Sequence, residues 1–567
     1  MNKLFLSQLL TCVLGLVVSG PILADFSLPH GVPNPNDTWF IGDSTESVVD
    51  PLSGTAPESW SIAKELGHPV YYIDNTSSDA TNSNNEFGSP DKPRLSIPET
   101  TFEAGSYIEI HGGPYDGGGQ IIFTGNGNAS QPIWFRGKSA DDKGNINGQI
   151  IAKGQYIFFE NLEFTEGGNL SLRTHKSSTI SNVVVRNSIF HGDGTVDGNG
   201  SAISIYSTSS DDRFHDFVVY QNEIYEMGND FNDVDTALGL SEENDVHGIH
   251  PDINVDRVWV LNNKIHNMGG DSIQIGRAST SDENRANYIY VAGNEFYSNL
   301  ENAVDIKKSD YTLIIDNKIY DWRQHVGNSS TGTAIVIHNG ATNSWIVNNE
   351  ITDAANGISA TGGSSEVWIL GNYISQIKHP NWDTDWSSQS IYSSGSAIHF
   401  RGGSYGGAVN NTLMYIDKPI ESAEGGSQFI NNIIYERNES SSYDINIGSS
   451  KVTNIIKNNL IYHSNESKSL KNATCTSCLY DEPKFETGND VVYLTETNSS
   501  VIGAGTSIDN ILTQFESTFG TELSLDIQGG LRVFGDIDIG AYENPNSSNT
   551  SFTSTPEAPS SVGVAEN

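Results

Sequence analysis

Val258-Trp259-Val260-Leu261-Asn262-Asn263-Lys264-Ile265 is one copy of a phrase that returns along this chain: apolar strand residues, an asparagine, one further residue, then an apolar pair. It stands again as Val183-Val184-Val185-Arg186-Asn187-Ser188-Ile189-Phe190 and as Val218-Val219-Tyr220-Gln221-Asn222-Glu223-Ile224-Tyr225. Later copies carry Asn294, Asn317, Asn349, Asn372, Asn432 and Asn459, and an earlier one carries Asn161. From Asn294 to Asn372 the steps are 23, 32 and 23 residues, which suits one turn of a solenoid with or without an inserted loop. A β-propeller blade needs four strands and a period of about 40 to 45 residues, so the shorter steps argue against it. Equivalent positions of successive turns stack at the strand spacing of about 4.8 Å. Stacked asparagines can then hydrogen-bond along the axis, which explains their recurrence inside a bend.

A second recurring phrase supplies another strand of each turn. It reads Ala202-Ile203-Ser204-Ile205-Tyr206, Gly248-Ile249-His250-Pro251-Asp252, Ser272-Ile273-Gln274-Ile275-Gly276, Ala303-Val304-Asp305-Ile306-Lys307, Ala334-Ile335-Val336-Ile337-His338, Gly357-Ile358-Ser359-Ala360-Thr361 and Ala397-Ile398-His399-Phe400-Arg401. Side chains alternate across a strand, so the aliphatic positions face one core and the rest share one outer face. The alignment predicts a stacked row of Ile203, Ile249, Ile273, Val304, Ile335, Ile358 and Ile398 inside. Outside, it predicts a sheet bearing Tyr206, His250, Asp252, Gln274, Asp305, Lys307, His338, His399 and Arg401. The fold expected is an all-β, right-handed parallel β-helix over residues 69–545.

Composition agrees with many turns and few helices: 56 glycines, abundant Asn, Ser and Thr, and four methionines among 567 residues. A formal charge of −40, from 30 basic against 70 acidic residues, would repel a phosphate backbone and argues against nucleic acid as a partner. Lys3, the apolar stretch Leu4 to Val18 and the small-residue run ending at Ala24 read as an export signal over residues 1–24. The mature chain is expected to be secreted or periplasmic, without a membrane span, and monomeric. Cys475 and Cys478 are expected to form one local disulfide, because no second Cys or His pair sits nearby to complete a zinc site. Residues 25–68 read as an N-terminal extension in which Glu58 to Leu66 form a short helix that caps the core. Residues 546–567, rich in Asn, Ser, Thr and Pro, read as a disordered tail.

Three stretches extend the pattern to the ends of the solenoid. Tyr71-Tyr72-Ile73-Asp74-Asn75 and Tyr107-Ile108-Glu109-Ile110-His111-Gly112-Gly113-Pro114-Tyr115 resemble the first turns of secreted parallel β-helix proteins from polysaccharide-degrading bacteria, and Gly535-Asp536-Ile537-Asp538-Ile539-Gly540-Ala541-Tyr542-Glu543 resembles their closing turn. Within that group, Glu301-Asn302-Ala303-Val304-Asp305-Ile306-Lys307-Lys308-Ser309 resembles the catalytic strand of calcium-assisted polysaccharide lyases of the pectate and alginate/chondroitin types. The pectate type clusters several aspartates around calcium, where this chain has Asp271 and Gln274 on one turn and Glu301 and Asp305 on the next. The alginate/chondroitin type has two glutamates before its lysine, where this chain has Glu301 and Ala303. The resemblance implies a lyase acting on an extended acidic polysaccharide, with Ca²⁺ held by Asp271, Glu301 and Asp305.

A lyase removes the weakly acidic proton beside a uronate carboxylate, which requires that the carboxylate charge be neutralised by a cation. Lys307 is the base candidate, with a pKa lowered if it is partly desolvated near another cation. His338 and Arg277 fall within about one strand spacing of it and complete the catalytic set. Tyr206, His250, Gln274, His399 and Arg401 are substrate-binding candidates. The duller reading makes Lys307 and Asp305 an exposed ion pair worth little. Tyr320, Trp322, Trp382 and Trp386 are candidates for stacking on sugar rings, against the usual role of tryptophan in packing. Asp230, Asp233, Asp235, Glu242, Glu243 and Asp245 crowd a loop that either rims the groove or is merely solvated. Beside the lyase stand a uronate C5-epimerase, a glycoside hydrolase built on Asp271 or Asp252 with Asp305, and a non-catalytic glycan-binding adhesin.

Overall fold

The computed structural model of the chain describes residues 28–39, 48–173, 180–192, 200–209, 213–228, 245–299, 301–322, 332–378, 395–423, 425–438, 443–448, 453–464, 469–488, 491–494, 499–532 and 536–544. The signal reading, the tail, Trp382, Trp386 and the loop acids other than Asp245 lie outside them.

The chain is a right-handed parallel β-helix. One turn shows the pattern: Val304–Lys307, Asp310–Ile315 and Lys318–Trp322 are three short strands, and Thr333–His338 begins the next turn directly above Val304–Lys307. Pairing between turns is parallel throughout the solenoid, in a 27-stranded sheet that contains two of the stacks and a 12-stranded sheet that forms the third. The stack that carries the outward polar column includes β1 (Asn169–Arg173), β2 (Ser201–Tyr206), β3 (His247–Pro251), β4 (Ile273–Gly276), β5 (Val304–Lys307), β6 (Thr333–His338), β7 (Asn356–Ala360) and β8 (Ser396–Phe400).

Register confirms the aliphatic row. Ile203 pairs with Ile249, then Ile273, Val304, Ile335, Ile358 and Ile398 follow in order, and all seven are buried in the tube. Full burial of each such side chain stabilises by about 1.5–3 kcal/mol.

The bend between the second and third strands holds the asparagine ladder. Each of Asn222, Asn263, Asn294, Asn317, Asn349, Asn372, Asn411 and Asn432 donates its backbone N–H and its side-chain amide to the Oδ1 of the next, and Asn459 closes the series. The residue before each ladder position is left-handed: Gln221, Asn262, Gly293, Asp316, Asn348, Gly371, Asn410, Asn431 and Asn458 all have φ between 50° and 69°. A ladder asparagine and a left-handed neighbour therefore make the bend together. Asn161 and Asn187 are the left-handed neighbours, not ladder members, because Phe190 stacks on Ile224 and on Phe164 and so puts Ser188 and Leu162 in the ladder column. Ser188 still accepts the Leu162 N–H and donates its own N–H to Asn222.

A second apolar layer coats the outside of the middle strand stack, where Trp134, Val184, Trp259, Tyr290 and Trp345 face away from the tube. The N-terminal segment and a C-terminal helix, Asp509–Phe519, cover it through Trp39, Ile511, Phe515 and Phe519. Trp259 donates its indole N–H to Pro33 O at 2.8 Å. A short helix, Trp60–Glu65, is capped by the Ser59 hydroxyl, and its Ala63 is buried in this outer layer. Cys475 and Cys478 are joined in a disulfide. No helix among the described residues is long and apolar enough to cross a membrane.

Candidate active site

On the outer face of β1 to β6, one column of aligned positions reads Arg173, Tyr206, Asp252, Gly276, Lys307, His338. The beside-lying column reads Ser171, Ser204, His250, Gln274, Asp305, Val336. Aliphatic alternation fixes both, since a slip of one residue would bury the charges and expose the core. The N-terminal part of the two columns, as far as Lys307, floors a groove of about 710 Å³ whose lining among the described residues includes Gln149, Arg173, Tyr206, Asp245, His247, His250, Asp252, Gln274, Arg277 and Lys307.

Lys307 is the hub. Its Nζ lies 3.0 Å from Asp305 Oδ2 and donates to the Gln274 side-chain oxygen, while the Gln274 amide reaches His250 Nε2 at 3.2 Å. His338 Nε2 lies 2.7 Å from Asp305 Oδ1 on the following turn. Arg277 grips Asp252 through Nε and Nη2, yet half of its side chain remains exposed to the groove. The structure therefore brings together Lys307, His338, Arg277, His250, Gln274 and Asp305, while Tyr206 lines the same groove three levels from Lys307. His399 and Arg401 stand three turns from the Lys307 level, about 14 Å by strand spacing, and are not among the groove's lining residues.

Charge on this face differs from the expectation. Burial alone would lower the Lys307 pKa, but Asp305, Asp271 and Glu301 surround the ammonium and raise it. The neighbouring cation on which a lowered value depended is absorbed by Asp252. Asp305 is pushed up by burial, and the His338 and Lys307 contacts more than reverse this, leaving its pKa below the usual value. Nor is the pair exposed, since Asp305 retains only 4% of its accessible surface. Asp271 goes the other way: burial, then the Asp305 charge, raise it well above the normal carboxylate range.

Two residues were missed or underrated in sequence. His247 and Asp245 lie beside Asp271, with His247 Nδ1 accepting the Asp271 N–H at 3.2 Å and His247 Nε2 at 3.4 Å from Asp245 Oδ1. Burial drives the His247 pKa down to about 3, so the ring is neutral. His247 shares the inward parity of Ile249 on its strand and Asp245 precedes that strand, so alternation gave no signal for either. Among the described residues, Asp245, His247 and Glu301 are the group that offers ligand atoms within 4.8 Å of one another; Asp271 and Asp305 are not part of it. Asp271 Oδ1 is taken by the backbone and side-chain amides of Asn302. Its fully buried Oδ2 has no hydrogen-bond partner and lies 3.6 Å from His247 Nδ1. The Asp245, His247 and Glu301 group offers two carboxylates, the hard oxygen ligands that Ca²⁺ takes, together with one imidazole nitrogen.

The aromatic candidates divide differently. Tyr206 lines the groove, while Trp322 is buried in the tube and donates to Glu301 O. Tyr320 stacks on Tyr297 at 5.1 Å in a row of rings on the third sheet, remote from the groove strands, so stacking on a groove-bound sugar is not its role.

No family model and no curated protein matches the chain. Solved structures do. The alginate lyase AlyGC of family PL6 aligns with a TM-score of 0.45 and 15% identity, covering 69% of this chain and 52% of that one. A second PL6 alginate lyase, solved with a trisaccharide, gives 0.44 and 13% over 76% of this chain and 92% of that one. Pectate lyase Pel9A gives 0.36 and 13% over 85% and 98%. The likeness is one of fold. This chain spans about half the length of AlyGC, and identities this low assign neither substrate nor residue roles.

Proposed function

We propose that the protein is an exported polysaccharide lyase that cleaves an extended, uronate-containing polysaccharide by β-elimination. The observation that carries this reading is the placement of Lys307: a groove-facing ammonium held between Asp305 and Gln274, with the half-exposed Arg277 paired to Asp252 in the same groove. In a chain with a net charge of −40, cations gathered on one groove are what an acidic polymer would recognise.

Arg277 presents its outward edge to a uronate carboxylate while Asp252 fixes its orientation. Lys307, once neutral, takes the proton from the carbon beside that carboxylate; the electron pair forms the ring double bond and the glycosidic C–O bond breaks. His338, positioned by Asp305, supplies a proton to the departing oxygen. A calcium ion held by the Asp245 and Glu301 carboxylates would add neutralising charge on the same side. The carboxylates that raise the Lys307 pKa make its base form scarce at neutral pH, so turnover climbs toward alkaline pH.

A hydrolase draws some support from the opposite shifts of Asp271 and Asp305, the pattern of an acid and a base. Asp271 has no surface accessible to a sugar, however, and its Oδ1 is occupied by Asn302. The deciding experiment incubates purified protein with alginate, pectate, glycosaminoglycans and sulfated algal glycans, with calcium or with chelator. Elimination gives product absorbing at the ultraviolet edge, lost on chelation. New reducing ends without that absorbance would overturn the lyase in favour of a hydrolase, and binding without either product would leave a glycan-binding protein.

A further inference from the structure

The groove is one-sided. Its described lining begins at Gln149 and Asn169 and ends at Lys307, so it extends over the turns N-terminal to the base candidate. Along it the outward column carries Arg173 on β1, Tyr206 on β2, Asp252 after β3 and Lys307 on β5. Arg277 follows β4 but folds back to Asp252, so its guanidinium sits two levels from Arg173. Arg173 is itself oriented: it donates to Gln149 Oε1 at 3.1 Å and to Tyr206 Oη at 3.4 Å. Two levels of the solenoid amount to about 10 Å.

An extended 1,4-linked uronate chain advances by roughly one strand spacing, about 5 Å, per sugar, and its two-fold twist returns a carboxylate to the same side at every second residue. The spacing of the two guanidinium groups matches that repeat. We propose that Arg173 and Arg277 bind alternate carboxylates of one polyuronate strand, that Arg173 sets the register of the polymer, and that the bond cleaved lies at the Lys307 end of the bound stretch. This rests on the lyase reading for the identity of the reaction, but the binding claim stands on the groove alone. A planar guanidinium suits the role because it takes a carboxylate in two parallel hydrogen bonds, which an ammonium cannot. The substrate class that follows is a polymer with a carboxylate on every residue or every second residue of one face; a chain with sparser charge would engage one arginine only.

The test separates binding from turnover. In the Lys307→Ala background, calorimetric titration compares a disaccharide, too short to reach both guanidinium groups, with a hexasaccharide of the same uronate, with and without Arg173→Gln. The expected result is that Arg173→Gln weakens hexasaccharide binding by about ten-fold or more, with the disaccharide unchanged, and that Arg173→Lys restores only part of the loss. Equal affinities of the two proteins for the hexasaccharide would overturn the proposal, as would an equal loss for both lengths. Unchanged thermal midpoints exclude a folding defect, and a neutral hexasaccharide must show no Arg173 dependence. If wild type yields no unsaturated product while the length-dependent binding persists, the lyase reading fails and the register role of Arg173 survives.

Discussion

At the bend after the second strand, asparagine meets asparagine through Asn294, Asn317, Asn349 and Asn372, and each amide donates to the next. On the groove face of the same turns, the aligned column reads Arg173, Tyr206, Asp252, Gly276, Lys307, His338, with no two alike. Both are stacks of polar side chains at one spacing. In the ladder every donor has an acceptor one turn above, so repetition removes polar cost and the stack supports the fold. On the groove the charges change from turn to turn, and Asp271 keeps an acceptor without a donor. Departure from the repeat leaves groups whose partners must come from outside the chain, and that is where binding and chemistry arise.

The sharpest break in this comparison is Lys307→Ala, which should leave the ladder intact and lower turnover of the folded protein by about 10² or more on a polymer that wild type cleaves, with a lower thermal midpoint because buried Asp305 loses its ammonium partner. Full activity in that variant would remove the groove column from the chemistry. In the ladder, Asn317→Ala leaves the Asn294 amides without their acceptor and should cost about 1–3 kcal/mol in denaturant unfolding, with kcat/KM of the folded fraction retained. Val304→Ala, beneath the groove, should cost a similar 1–3 kcal/mol through lost burial and a cavity.

A smaller effect concerns Asp316, a left-handed bend residue, whose pKa burial raises from 3.8 to about 7 against the opposing charge of Arg532. A raised folded pKa contributes stability that is complete below 3.8 and is lost as pH rises through about 7. Asp316→Asn should therefore flatten the fall in thermal midpoint between about pH 4 and pH 7. Least affected should be Lys308→Ala. Lys308 leaves the strand alternation in a left-handed bend and reaches Thr280 O and Asp282, so both activity and stability should stay within about 0.5 kcal/mol of wild type.

Periodicity made the solenoid legible, because an aliphatic residue at every second position and an asparagine at every bend are local, repeated and independent of what lies across the groove. Ile203 through Ile398 could be aligned by eye, and the outward placement of Lys307, Asp305, His250 and His338 followed by alternation. The ladder register at Asn161 and Asn187 could not, since only the stacking of Phe164, Phe190 and Ile224 says which of two adjacent residues enters the column. Nor could the sign of the shift at Lys307. That depends on Arg277 turning back to Asp252 and on Asp271, Asp305 and Glu301 converging from two turns. Linear sequence thus determined the fold and which side chains leave its surface, because strand geometry sets direction residue by residue. Which groups share charge, burial and ligand distance was decided only in the tertiary structure, because those quantities depend on side chains far apart in the chain but about 5 Å apart between turns.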